Sequence, residues 1–335
     1  MPPTNIMMNR LTLVLMFLAV AITSTAQSSS GLRHFEAKGN PVITDIFTAD
    51  PAVLVEGDTL WMFTSHDMKA TKDVDPNKNG GYEMEDWQLF STTDLRHWTQ
   101  YQCPLRITDF AWADSHQAFA GQAIKRNGKY YWYISTNWCG IGVAVSDKIT
   151  GPYKDALGRP MLTVKDCPDS KHAWACIDPS VFIDDDGTPY LVWGNGECYM
   201  ARLKDSMVEL DGPVQRIDIT EDHPFTEASW LHKYEGRYYL TYASEFPEKI
   251  AYAIADDIFG PYETKGVISD TPENSFTTHP AIAEFKGHWY FFSHNGALPD
   301  GGSYSRSVII EPLYYNPDGT IQFIPATREG VSVKE

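Results

Sequence analysis

Positive charge is scarce in this chain. Twenty-seven Lys and Arg stand against 44 Asp and Glu, a formal net charge of −17. Nucleic acid and anionic membrane surfaces are both held by clustered Lys and Arg, so neither is expected as a partner. Neutral sugars make no such demand. Cysteine is sparse as well: Cys103, Cys139, Cys167, Cys176 and Cys198 make five, an odd count that leaves at least one free thiol. None of them is spaced like a metal site, and the histidines lack zinc-site spacing too. Cys167 and Cys176 are the pair placed to bridge around a loop. Long apolar runs are limited to Leu11–Ile22, about a dozen residues, which is too short to span a bilayer. Arg10 precedes that run and the small residues Ser24, Thr25 and Ala26 follow it. Residues 1–26 therefore read as an export signal cut before Gln27, and no Cys follows the cut to carry a lipid. The mature protein is expected to be secreted or periplasmic, without membrane insertion. Long helical patterns are missing, and so is any composition break between domains. Residues 27–38 read as a polar, flexible leader and residues 39–335 as one folded unit, long enough to bury a large core.

Aromatic residues and a repeated pattern are what the chain has in plenty. Aromatics make up 13% of it, which suits stacked sheets and a site that holds flat ligands. The stretch Asp178-Pro-Ser-Val-Phe-Ile, a turn at Asp186-Gly187, then Tyr190-Leu-Val-Trp193 predicts a β-hairpin with a carboxylate at its mouth. The same sentence occurs five times. Asp50-Pro-Ala-Val-Leu leads through Gly57 to Leu60-Trp-Met-Phe63. Gly121-Gln-Ala-Ile leads through Gly128 to Tyr130-Tyr-Trp-Tyr133. Glu227-Ala-Ser-Trp-Leu leads through Gly236 to Tyr238-Tyr-Leu-Thr-Tyr242, and His279-Pro-Ala-Ile through Gly287 to Trp289-Tyr-Phe-Phe292. A second echo pairs Val145-Ser-Asp-Lys-Ile-Thr-Gly-Pro-Tyr153 with Ile254-Ala-Asp-Asp-Ile-Phe-Gly-Pro-Tyr262. Five hairpins, each extended by further strands, predict an all-β, five-bladed β-propeller. Gly39–Ile43 is expected to add an edge to the last blade and close the ring. The polar insertion at residues 69–86 loosely follows a calcium-loop spacing, but Pro76 interrupts it and a solvated loop is the better reading.

The first strand of each propeller blade runs nearest the central channel, so the residues that open these strands converge there. The repeat puts Asp50, Gln122, Asp178, Glu227 and His279 at equivalent places. Packing a blade requires no charge at such a position, and charge sits poorly there. Glycoside cleavage does require it: one acid protonates the leaving oxygen, and one carboxylate activates water or attacks the sugar. A third carboxylate raises the proton affinity of the acid by like-charge repulsion.

These segments together resemble glycoside hydrolase family 43 over essentially the whole mature length. The matching residues are Asp50-Pro, Ile177-Asp-Pro-Ser-Val181, Thr226-Glu-Ala-Ser-Trp-Leu231, Thr278-His-Pro-Ala-Ile282, Phe291-Phe-Ser-His-Asn-Gly296 and Tyr304-Ser-Arg-Ser307. The resemblance implies inverting chemistry with Asp50 as general base, Glu227 as general acid and Asp178 as the residue that tunes and orients the acid. It implies a calcium ion in the channel near His279 and no required cofactor. Arg306 would face the pocket. Phe119, with Trp112 and Trp138, would give the sugar an aromatic wall, and Trp174 and Phe225 lie on neighbouring loops. His66, Asp67, His116 and His172 are rim candidates. The family's acid segment usually reads Glu-Gly-Pro, where this chain has Glu227-Ala-Ser.

The expected activity is release of terminal pentoses, as an α-L-arabinofuranosidase, a β-xylosidase or both, from arabinoxylan or arabinan. Within the family the alternatives are endo-arabinanase and exo-galactanase. A retaining, fructan-cleaving propeller is a further alternative, but such enzymes usually begin with Trp-Met-Asn-Asp-Pro where this chain has Phe47-Thr-Ala-Asp50-Pro. A sugar-binding propeller without catalysis is the alternative of another class.

Overall fold

A computed structural model describes residues 31–68, 81–113, 116–136 and 140–331. The export signal, most of the insertion at 69–86, Trp138 and Cys139 lie outside the described residues.

Local turn chemistry sets the hairpins. All five turn glycines have positive φ, from 59° at Gly57 to 85° at Gly187. Asn127, Glu235 and Lys286, which precede three of them, are also left-handed, at 50°, 48° and 52°. Two central residues with φ > 0 make a type I′ turn, whose twist matches that of the flanking strands. The Asp186-Gly187 turn is wider than its sequence predicts. Asp184 N–H donates to Thr188 O at 3.0 Å and Gly187 N–H to Asp184 O at 2.8 Å, so three residues span the turn.

Among the described residues, five antiparallel sheets result. Blade one has inner strand Phe47–Glu56, then Thr59–Asp67, Asp86–Thr92 and His97–Gln100. Blade two begins with Gly121–Arg126, blade three with Ser180–Ile183, blade four with Phe225–Tyr234 and blade five with Ala281–Phe285. Each inner strand touches those of its neighbours in cyclic order, which closes the ring around a channel. Aromatic side chains fill the space between blades: Phe63 meets Trp132 edge-on at 4.8 Å between blades one and two. The repeated Gly-Pro-Tyr motif folds alike in both copies, with buried Tyr153 and Tyr262 donating to the carbonyls of Ile149 and Ile258 at 3.0 and 2.8 Å.

Two features at the ends of the chain bear on the sequence reading. Residues 33–36, inside the stretch expected to be a flexible leader, form a strand that pairs with His97–Gln100 at the outer edge of blade one. Alternating Arg33, His34, Phe35 and Glu36 carry too little apolar character to show this, and the blade edge supplies the missing partner. Blade five has three strands of its own. Val42 N–H donates to Val308 O at 2.9 Å, and Asn40 exchanges hydrogen bonds with Ile310. The 39–43 segment thus lies on the outer side of blade five, but as bends held by these bonds and not as the expected edge strand. Cys167 and Cys176 are both buried thiols that form no disulfide, with their side chains in hydrogen-bond contact.

Candidate active site

The strand-opening residues do converge on one pocket. Asp50, Asp178, Glu227 and His279 line a cavity of about 350 Å³, together with Phe119, Trp174, Asn195, Glu248, His294 and Arg306. The backbone that presents the carboxylates is unusual. Asp50 and Asp178 have φ of 49° and 56°, and Ala228, beside Glu227, has 60°. The strand registers slip at Ala49/Ala52 and at Glu227/Trp230. Bulges of this kind re-aim side chains next to functional sites, and left-handed non-glycine residues persist only where the surroundings over-determine them.

Asp50 sits in a cage of donors. Its Oδ1 accepts from Arg306 Nη1 at 3.0 Å and its Oδ2 from the Ser65 hydroxyl at 2.7 Å. Burial pushes its pKa up, but the Arg306 charge, the imidazoles of His279 and His294 and the Ser65 hydrogen bond outweigh burial and hold it at about 2. Asp50 is an anion at any ordinary pH. Arg306 is itself fixed by Asp67, with Nε to Oδ2 and Nη2 to Oδ1 both at 2.8 Å, a fork-on-fork pair. Its guanidinium also lies 4.7 Å from the ring centre of Tyr82. His294 accepts the Asp50 backbone N–H on Nδ1 at 3.1 Å and faces Thr277 O with Nε2 at 3.0 Å, which requires the neutral Nε2–H tautomer. Burial agrees, pushing His294 down to about 3.

The other two acids are tuned the opposite way. Asp178 lies well above the carboxylate range, first because it is buried and then because Glu227 and Asp50 are near. Its Oδ2 accepts the Ala228 N–H at 3.1 Å. Glu227 is raised by burial and by Asp50, and lowered in part by hydrogen bonds with Glu248 and Asn195 and by the Arg306 charge. Its carboxyl accepts from Asn195 Nδ2. Glu227 is still partly open to the pocket, so it reaches both solvent and ligand. One site thus holds a carboxylate kept ionised and two carboxyls inclined to keep protons, the pattern that separates base from acid in one pocket.

A search of family models matches glycosyl hydrolases family 43 over residues 38–321. The chain belongs to that family. Among curated relatives, a xylosidase/arabinosidase 43A of Humicola insolens is 33% identical, covering 84% of this chain and 98% of its own length. An arabinoxylan arabinofuranohydrolase of Bacillus subtilis is 29% identical over 96% of this chain and 71% of its own length. Among solved structures, a β-xylosidase/α-arabinofuranosidase from a compost metagenome, bound to xylotriose in a calcium-free form, aligns with a TM-score of 0.77 at 30% identity, covering 88% of this chain and 99% of its own. This family 43 chain is therefore a glycosidase fold in every blade.

Several expected site residues fall elsewhere. Phe119 lines the pocket and leans on Trp174 at 5.8 Å. Trp112 does not line it. Its Nε1 donates to Asp155 Oδ2 at 2.8 Å, and its ring covers Gly142, where a Cβ would meet it at 2.7 Å. Trp112 is a packing residue of blade two. Trp138 lies outside the described residues. Phe225 packs on Tyr242 at 5.4 Å, His66 and His116 pair with Asp86 and Glu83, and His172 does reach the pocket. Gln122, the blade-two counterpart of the acids, clasps blade three: its amide accepts from Val181 N–H at 2.7 Å and donates to Val181 O at 3.1 Å. Asp67 proves to be the anchor of Arg306 rather than a rim residue. Glu248 and Asn195 gave no sequence signal, because both lie outside the repeated strand openings. His279, the residue expected to hold a calcium ion, lines the pocket. Burial pushes it down to about 4, so the imidazole is neutral and has a lone pair to give. Among the described residues no group of three His, Cys, Asp or Glu forms a metal cluster. Any ion there would rely on His279 and water.

Proposed function

We propose that this protein is an inverting, exo-acting glycosidase that removes terminal pentoses, arabinofuranose or xylose, from arabinoxylan or arabinan. The observation that carries the reading is the opposite tuning of Asp50 and Glu227 around one small pocket. At about 350 Å³ the cavity is near the lower end for small-molecule sites, which favours a terminal sugar over a chain threaded through a cleft.

Asp50, anionic and held in place by Arg306 and Ser65, takes a proton from water as the water oxygen bonds to the anomeric carbon. The glycosidic C–O bond breaks, and Glu227 gives its proton to the departing oxygen. Asp178 receives the Ala228 N–H, so it fixes the backbone that carries Glu227. Phe119 and Trp174 offer a face to the sugar C–H groups. A calcium ion, when bound, would supply positive charge in the channel; His279 would hold it with water completing the shell. The relatives' names support a pentose substrate, since the Humicola and Bacillus proteins are named for xylose and arabinose release. Residues 1–26, read as an export signal, would deliver the enzyme to polysaccharide outside the cytoplasm, and sequencing the mature N-terminus tests that.

The test of function is a panel of nitrophenyl arabinofuranoside, xyloside and galactoside beside arabinan and arabinoxylan, with the first-formed anomer read by NMR. Monosaccharide of inverted configuration is expected. Release of oligosaccharides only, or of retained anomer, would reject the proposal.

A further inference from the structure

Glu248 is a fourth carboxyl in the pocket, on the turn before the strand Lys249–Ala255 of blade four. Only 2% of it is exposed. Its backbone N–H donates to Phe276 O at 2.9 Å, and its Oε2 accepts the Thr278 N–H at 2.8 Å, so it is fixed from both ends. Its side chain is hydrogen-bonded to that of Glu227. A hydrogen bond between two carboxyls needs a proton on one of them, because two carboxylates repel and neither has a donor.

We propose that Glu227 and Glu248 hold one proton between them, and that Glu248 is a positioning residue which keeps the acid supplied with that proton. This rests on Glu227 being the acid. The surroundings of the pair fit one negative charge, not two. Asp50 from blade one adds an anionic charge near Glu227 and Asp178 from blade three a further carboxyl near Glu248, while Arg306 adds one cation. Tyr82 is held as neutral phenol, chiefly by burial, and His279 and His294 are neutral imidazoles at neutral pH. His172 lines the same pocket. Asn195 donates to Glu227 and Thr278 N–H to Glu248, so each carboxyl has a partner for negative charge. Burial leaves Glu248 well above the carboxylate range. The proton belongs to the pair.

In turnover, the proton leaves the pair for the glycosidic oxygen as the C–O bond breaks. Solvent then returns one to the pair, while Asp50 releases to solvent the proton it took from the attacking water. The cycle consumes one water and no other reactant.

Glu248→Gln tests this with little change of shape, because the amide oxygen still accepts from Thr278 and the NH₂ group donates to Glu227. Without an ionisable neighbour, Glu227 loses its proton more easily. The alkaline limb of kcat/KM on xylo- or arabino-oligosaccharide is expected to move down by about one pH unit or more, with the acid limb unmoved. Nitrophenyl glycosides, whose leaving group needs less protonation, should lose less kcat than oligosaccharides. An unmoved alkaline limb would overturn the proposal. Glu227→Gln separates the two readings: if it retains turnover on oligosaccharide, the acid assignment itself fails. Should Glu248→Gln not fold, infrared difference spectra of the Asp178→Asn enzyme decide, because Asp178 is itself inclined to keep a proton. A protonated carboxyl persisting above pH 7 is expected, and full ionisation below pH 6 would refute the shared proton.

Discussion

The backbone N–H of Ala228 donates to Asp178 Oδ2 at 3.1 Å, and it does so from a left-handed residue with φ of 60°. The amide that follows the acid is turned back toward the neighbouring blade, and blade three fixes blade four at the point of chemistry. An L-residue in that conformation costs about 1–2 kcal/mol, which glycine avoids at an entropic cost of about 0.5–1 kcal/mol. Ala228→Gly should therefore keep activity within about twofold and raise stability by less than about 1 kcal/mol. Ala228→Val, β-branched and fully buried, should lose about 2 kcal/mol or more. It should also lower kcat as the amide leaves Asp178. Thermal melts with kinetics on a nitrophenyl pentoside check both, and a Val variant of normal kcat would sever the backbone turn from function.

The Asp67–Arg306–Asp50 chain carries the second prediction. Arg306→Gln removes the cation and the fork that meets Asp67, and leaves a buried carboxylate without its partner, which costs about 3–5 kcal/mol in comparable cases. Asp50 loses its strongest stabilising charge, so its pKa should climb from about 2 toward the ordinary value. The acid limb of kcat/KM should rise with it, since Asp50 must be ionised to accept a proton. A pH–rate profile reads this directly, and an acid limb that stays put would show that Arg306 does not govern Asp50.

How far the sequence carried the site follows from which residues the repeat touches. Asp50, Asp178, Glu227 and His279 occupy one position in a repeated hairpin, so a periodicity argument brings them together without any three-dimensional knowledge. Asp67 ends the second strand of blade one and Glu248 sits on a turn before the third strand of blade four, where no repeat flags them. Asp67 acts through a contact 239 residues away, which only closure of the ring supplies, and Glu248 through one 21 residues away that forms when blade four folds. Trp112 departs from its expected place for a related reason. An indole near the pocket in sequence looks like a sugar platform until Gly142 is seen beneath it. Residues 33–36 became a strand because an unpaired blade edge was waiting for them.

That contrast between aromatics gives the third prediction. Phe119→Ala should raise KM for a pentoside several-fold with modest change in melting temperature, because the ring borders the cavity. Trp112→Ala should leave KM near normal and destabilise the fold by about 3–5 kcal/mol, the range for truncating a packed Trp. Its loss also strands Asp155, which now accepts from the indole N–H. Equal effects of the two substitutions on KM would overturn the assignment of Trp112 to packing.

Buried ionisable groups should make stability depend on pH in two opposed ways. Burial depresses His232, His279 and His294 to about 3, 4 and 3, each below the unfolded value of 6.5. The unfolded chain therefore binds more protons than the native one between pH 6.5 and about 4, and stability falls as pH drops through that window. Asp178 has the reverse sign. Its pKa is raised above 3.8, so the native state binds more protons there and loses stability as pH rises toward the folded value. Above that value the buried charge is a standing cost. Asp178→Asn removes the charge while its amide oxygen still accepts from Ala228. Melting at pH 7 should consequently rise by a few degrees, roughly 1–2 kcal/mol, as turnover falls roughly 100-fold or more. Below about pH 4, where Asp178 is protonated in both states, the difference in melting temperature should vanish. A variant melting lower than the parent at pH 7 would mean that the Asp178 carboxylate stabilises the fold, and the opposed tuning of the three acids would have to be abandoned.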